Sequence, residues 1–158
     1  MGFLFYALIV LPFLLSPSPA NSAVGADERL TAYEVLEGYN FPIGILPKGV
    51  IGYDLDASTG RFSAYLNGSC SFSLEGSYQL SYKSSIKGFI SEGKLTKLEG
   101  VKVKLFFIWV DIIEVIRSGD NLEFSVGIAS AGFSIDNFEV CPQCGCGLNC
   151  VNGGVSDF

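Results

Sequence analysis

Between residues 51 and 133, apolar side chains recur at every second position in short runs. That period confines the chain to strands with one covered face. Ile51, Tyr53 and Leu55 alternate with Gly52, Asp54 and Asp56. Phe62, Ala64 and Leu66 alternate with Ser63 and Tyr65, and Cys70, Phe72 and Leu74 continue the pattern. Tyr78, Leu80 and Tyr82 follow, then the stretch Ile86 to Ser91, and later Leu122, Phe124, Val126 and Ile128, with Ala129 to Phe133 as an extension. Turn chemistry separates the runs at Ala57 to Gly60, at Asn67-Gly68 and at Ser118-Gly119-Asp120. Asn67-Gly68 is the strongest of these, because both residues tolerate positive φ and so suit a two-residue hairpin. Many short alternating strands joined by tight turns predict a mainly β chain. The expected architecture is a single antiparallel β-barrel-like (or sandwich) domain with one short N-terminal helix.

The helix is expected within Asp27 to Tyr39. Thr31 and Glu34 have the spacing of a capping box, Leu30 and Val35 occupy the staple positions, Gly38 offers a left-handed stop and Pro42 blocks continuation. Asp27 is the alternative cap. The segment FPIGILPKG, residues 41–49, reads as an extended linker fixed by Pro42 and Pro47, with Ile45 and Leu46 too apolar to float free.

Residues 1–23 read as a secretory leader, with a retained membrane anchor as the alternative. The apolar run Phe3 to Leu15 is shorter than the roughly 20 residues a bilayer span needs, and small residues and prolines follow it from Ser16 to Ala23. A cut after Ala20, Ser22 or Ala23 leaves a β domain over 24–140 and a Cys/Gly-rich tail over 141–158, with no transmembrane segment in the mature chain. The expected location is secreted, in the extracellular space. The leader carries no charged side chain, so the domain keeps all 10 basic and 16 acidic residues, net −6. An acidic chain without a basic cluster is a poor nucleic-acid binder and is repelled by anionic lipid. Any membrane role must therefore be apolar. The chain has no histidine, which removes Ser-His and Cys-His nucleophiles and His-based zinc sites. No cofactor is expected.

The tail places Cys141, Cys144, Cys146 and Cys150 within CPQCGCGLNC. In an oxidising compartment these read as disulfide cysteines, whereas a structural zinc site usually draws ligand pairs from two separated knuckles. Cys141-Pro-Gln-Cys144 has redox spacing, but Gly145 and Gly147 argue against the helix start such a motif uses. Five cysteines leave one over, and Cys70, on the apolar face with Phe72, is the expected free thiol. Asn67-Gly68-Ser69 is a glycosylation sequon at a turn. Asp54 and Asp56 lie roughly 7 Å apart on one strand face at about 3.3 Å per residue, a spacing that overlaps inverting glycosidases; acids beside a turn are usually solvated ends. Asp111 and Glu114 at a strand junction have the same standing. Two Ser-x-x-Lys matches, Ser84 to Lys87 and Ser91 to Lys94, fall on strand or turn, which points the two side chains apart. No catalytic residue is assigned.

The run Val101 to Trp109 reads as the most apolar strand. Val101, Val103, Leu105, Phe107 and Trp109 form one face; Lys102 and Lys104 begin the other, and Phe106, Ile108 and Val110 finish it. The helix is one cover for that second face. The other reading makes Phe106, Ile108 and Val110 the lining of a groove for a small apolar or lipid ligand, since a small barrel is either filled by its own side chains or holds one such molecule.

The segments AYEVLEGYNFPIGILPKGV at 32–50, YLNGSCSFSLEG at 65–76, VKVKLFFIWVDIIEV at 101–115, and FSVGIASAGF with CPQCGCG near the end resemble the plant domain of unknown function 538 family, in order across 31–147. Position 43, basic in many members, is Ile43 here. The resemblance implies a single all-β domain with a barrel-like core and an N-terminal helix, a fold compared with lipid-binding bactericidal/permeability-increasing proteins. It also implies a link to plant stress responses and a suggested pigment-ester hydrolase activity, and it transfers no catalytic residue. The reading that follows is a secreted binder of a small apolar or lipid ligand. Its alternatives are an extracellular interaction or structural module with a filled core, and a His-independent ester hydrolase.

Overall fold

Local chemistry sets the helix where the capping box stands. In the computed structural model, which describes residues 29–74 and 78–150, helix α1 spans Ala32–Gly38. The Glu34 amide donates to Thr31 Oγ1 (3.1 Å) and the Thr31 amide to Glu34 Oε1 (2.8 Å). This closed box makes Thr31 the cap. Arg29 and Leu30 are non-helical, and Asp27 and the leader lie outside the described residues. Leu30 is half exposed. The left-handed stop is Asn40 rather than Gly38: Asn40 has φ 72°, the Phe41 amide donates to Leu36 O and the Asn40 amide to Glu37 O, both at 2.9 Å. This is a Schellman motif, and its accompanying apolar pair, Leu36 and Phe41, is fully buried.

The linker is packed, as its apolar residues demand. Ile43–Ile45 form a 3-10 turn, and Gly44 through Pro47 are buried. A Cβ on Gly44 would run into the backbone of Phe138, so the two segments touch chain to chain. The Tyr33 hydroxyl donates to Pro47 O (2.6 Å) and accepts from the Val50 amide (3.1 Å), and the buried Tyr82 hydroxyl donates to Ile45 O (2.9 Å).

Among the described residues nine strands follow: β1 Val50–Asp56, β2 Arg61–Leu66, β3 Cys70–Ser73, β4 Gln79–Ser91, β5 Lys94–Leu105, β6 Ile108–Asp111, β7 Glu114–Ser118, β8 Asn121–Ser125 and β9 Ser130–Ser134. They form one antiparallel sheet in the order β1-β2-β4-β5-β7-β8-β9, with β3 also on β4 and β6 also on β5. The expected mainly β, antiparallel class with a short N-terminal helix is what the chain adopts. The sheet is not closed, because β1 and β9 end the path without pairing. It curls nonetheless. β9 is four places from β4, yet the Phe133 ring on β9 meets Tyr78, one residue before β4, edge-on at 5.7 Å.

Two turns differ from expectation. Asn67-Gly68 is not a hairpin tip: β2 and β3 do not pair with each other but lie one after the other along β4. The dipeptide is an exposed break between those two strands, and neither residue has positive φ. The run Val101 to Trp109 is not one strand. It reverses at Phe106-Phe107, so that Leu105 pairs with Ile108 and Lys104 with Trp109. β5 and β6 form a tight hairpin where alternation had suggested a continuous strand.

Candidate functional site

The concave face of the curled sheet is lined by Phe62 of β2, Ile86 of β4, Leu95, Leu98, Val101 and Val103 of β5, and Val115 of β7. All are buried; on β5 the inward positions 95, 98 and 101 are spaced by three, because the strand is broken by left-handed Lys97 and Gly100, and alternation resumes at Val103. Leu36 of α1 and Ile45 and Leu46 of the linker close one side. These side chains do not fill the space. A cavity of about 530 Å³ remains, within the range of roughly 300–1,000 Å³ in which small-molecule sites fall. Aromatic rings finish its wall: Phe124 contacts Phe133 at 5.9 Å and Phe138 at 5.4 Å. The lining residues Ala129, Ser130, Ala131 and Val140 are exposed, so the cavity opens beside β9.

The wall is mostly apolar. Its ionisable members are Tyr78, Tyr82 and Lys87. Complete burial pushes the Tyr82 phenol far above its ordinary range, and that hydroxyl is already bonded to Ile45 O. Such a wall suits hydrocarbon, and no carboxylate stands among its described residues.

The carboxyl-terminal tail supplies part of the wall. Val140, Pro142 and Leu148 line the cavity, and disulfides hold the segment there. Cys70 on β3 bonds Cys144, and Cys146 bonds Cys150. The Gly145 amide donates to Ser71 O (2.8 Å), and a Cβ on Gly147 would collide with Ser73 O. The expected division of cysteines is therefore corrected. Cys70 is a disulfide partner, because β3 runs beneath the tail, while Cys141 is the free thiol. Cys141 is buried with Sγ 3.5 Å from Ile43 O, and burial raises its pKa, the opposite of an activated nucleophile.

Other sequence candidates disperse. Phe106 and Ile108 do not line the cavity: they stand 91% and 63% exposed at the β5–β6 hairpin. Val110 is half-buried against the core on β6 and is also absent from the cavity wall. The hairpin carries them off the face that they would occupy on a continuous strand. Asp54 accepts from the Tyr65 hydroxyl (2.6 Å) on an exposed edge. Asp56 accepts from the Ser58 hydroxyl (2.6 Å) and amide (3.0 Å), bonds that lower its pKa and fix a turn. Asp111 pairs with Lys102 at 2.9 Å. Ser84 to Lys87 lies in β4, and Ser91 to Lys94 spans the β4–β5 turn. Asn67 is exposed. Among the described residues, no group of metal-ligating side chains comes together and no helix is long and apolar enough to cross a membrane.

What sequence reasoning missed is the lining of this cavity. Its signal was present in the inward positions of β4, β5 and β8, which read only as core. Residues 32–139, from α1 to the edge of the cavity mouth, match the family model described as protein of unknown function, DUF538. The chain belongs to the DUF538 family. It is also 30% identical over 107 residues to the uncharacterized Arabidopsis thaliana protein At5g01610, an alignment that covers 68% of this chain and 62% of that protein. The chain thus spans under two thirds of the length of that relative. The matched DUF538 region contains nearly all of the sheet and cap that enclose the cavity, whereas Cys144, Cys146 and Cys150 lie beyond it.

Proposed function

We propose that this DUF538 protein binds one small apolar or amphipathic molecule, such as a fatty acid, within the curl of its sheet. The observation that carries this reading is the unfilled, mainly apolar cavity of about 530 Å³ with an exposed rim at Ala129 to Ala131. Close packing is the ordinary state of a protein interior, and an apolar void forfeits dispersion contacts along its whole wall. A bound hydrocarbon chain would restore them. The cavity argues against a structural module with a filled core. The hydrolase reading has less support: among the described residues the hydroxyl groups of the wall are Ser130, Tyr78 and Tyr82, and the Tyr82 hydroxyl is already bonded to Ile45 O.

Secretion belongs to the same proposal. The leader-like start, the two disulfides and the exposed sequon at Asn67 are mutually consistent with an oxidising, glycosylating compartment. The test is saturable binding of a fluorescent fatty acid, displaced by its unlabelled counterpart and abolished by Ala131→Trp, which places an indole in the mouth. Folded protein that takes up no probe, or a variant that binds as well as the parent, overturns the reading.

A further inference from the structure

The β5–β6 hairpin ends in four successive apolar residues that the fold leaves in solvent: Phe106 91%, Phe107 90%, Ile108 63% and Trp109 40% exposed. Two phenylalanines at the tip of a two-residue loop are anomalous on conformational grounds as well. Phe106 has φ 60°, and Phe107 does not share the positive φ. This is the arrangement in which a hairpin ordinarily carries glycine at the first position. A bulky residue there is strained, and neither ring is compensated by burial.

Side-chain character is graded along the hairpin. One layer back from the tip, Lys104 and Trp109 face each other across the strands, with the ammonium 5.9 Å from the indole centroid. Two residues further back, Lys102 and Asp111 form an ion pair. The order from the tip is therefore aromatic and aliphatic, then tryptophan with a cation, then a charged pair. A lipid interface has the same profile from acyl chain to headgroup to water, and tryptophan and lysine favour its boundary. The depth also fits. Phe106 stands roughly 7 Å beyond the Lys104–Trp109 layer at about 3.3 Å per residue, and interfacial elements bury their apolar faces about 5–10 Å.

We infer that the β5–β6 hairpin is a wedge that docks the protein onto a zwitterionic phospholipid bilayer. Net charge −6 disfavours an anionic surface, so the attraction is apolar and Lys104 meets individual phosphates. Leu105, which lines the cavity, directly precedes Phe106, so the hairpin leads straight off the cavity wall. The wedge itself stands independently of what the cavity holds.

The chain's single tryptophan, Trp109, reports directly. With phosphatidylcholine vesicles its emission is expected to shift to the blue and to be quenched by lipids brominated along the acyl chain. Phe106→Gly/Phe107→Ser suits the turn better than the native pair and retains the apolar amino terminus, so a difference between the two proteins belongs to the hairpin. Its vesicle partitioning is expected to fall about tenfold or more from the loss of two buried rings, with an unchanged or higher melting temperature. Adding phosphatidylglycerol is expected to leave partitioning unchanged or reduce it. The inference is overturned if Trp109 is unaffected by phosphatidylcholine, if the double variant partitions equally, if binding requires anionic lipid and vanishes in salt, or if the hairpin instead drives self-association of the protein without partitioning. Fatty-acid uptake in vesicle-free solution reads the cavity alone, so either proposal fails without the other.

Discussion

Asn40 and Phe106 both adopt a left-handed backbone that L-residues disfavour, and their surroundings are opposite. At Asn40 the conformation completes the end of α1. It directs Phe41 into the core against Leu36, and the Asn40 carbonyl and side-chain oxygens accept from Arg117 at 3.1 and 3.2 Å. At Phe106 the same backbone turns two aromatic rings into water. The first is accounted for by the folded chain. The second is not, and an unrewarded conformation on the outside of a protein points to something beyond the chain itself.

Three substitutions bear on that contrast. Phe41→Ala has the largest expected effect, a loss of about 3–5 kcal/mol in urea unfolding, because it empties a fully buried site. A loss under about 1 kcal/mol would mean that the helix end is not the packed junction described. Asn40→Ala is expected to cost about 1–2 kcal/mol, from the left-handed penalty on alanine and the surrendered Arg117 contacts. Phe106→Gly should have the smallest effect and the opposite sign. The relief of the left-handed penalty exceeds the added flexibility of glycine by up to about 1 kcal/mol, so thermal unfolding should move upward or stay in place. A clear drop in melting temperature would show that Phe106 is a structural residue after all, and the contrast with Asn40 would collapse.

What the sequence made legible was what short-range chemistry decides. Thr31 and Glu34 are three residues apart and bond each other, so the start of α1 was readable. The alternation that names Phe62, Ile86, Val101 and Leu122 as inward residues depends only on the pleat, and all four are buried. The misreadings involve partners distant in the chain. Asn67-Gly68 permits a hairpin by sequence, but β4 takes both flanking strands end to end along one side, so they do not pair with each other. Phe106-Phe107 carries no turn chemistry at all, so the reversal there is invisible to any rule based on glycine, asparagine or proline. Cys70 and Cys144 are 74 residues apart, and only the folded sheet brings β3 beneath the tail. Composition and pattern made an apolar interior legible and left open whether its own side chains fill it. The lining of the cavity was not legible, because placing it depends on where β5 ends.

The Cys70–Cys144 bond ties Pro142 and Leu148 to the sheet that they help to enclose. Handling this molecule in dithiothreitol would unlatch one panel of its container. A weak or absent ligand signal from reduced material would then describe an open box, and assays run with and without reductant should be regarded as experiments on two different objects.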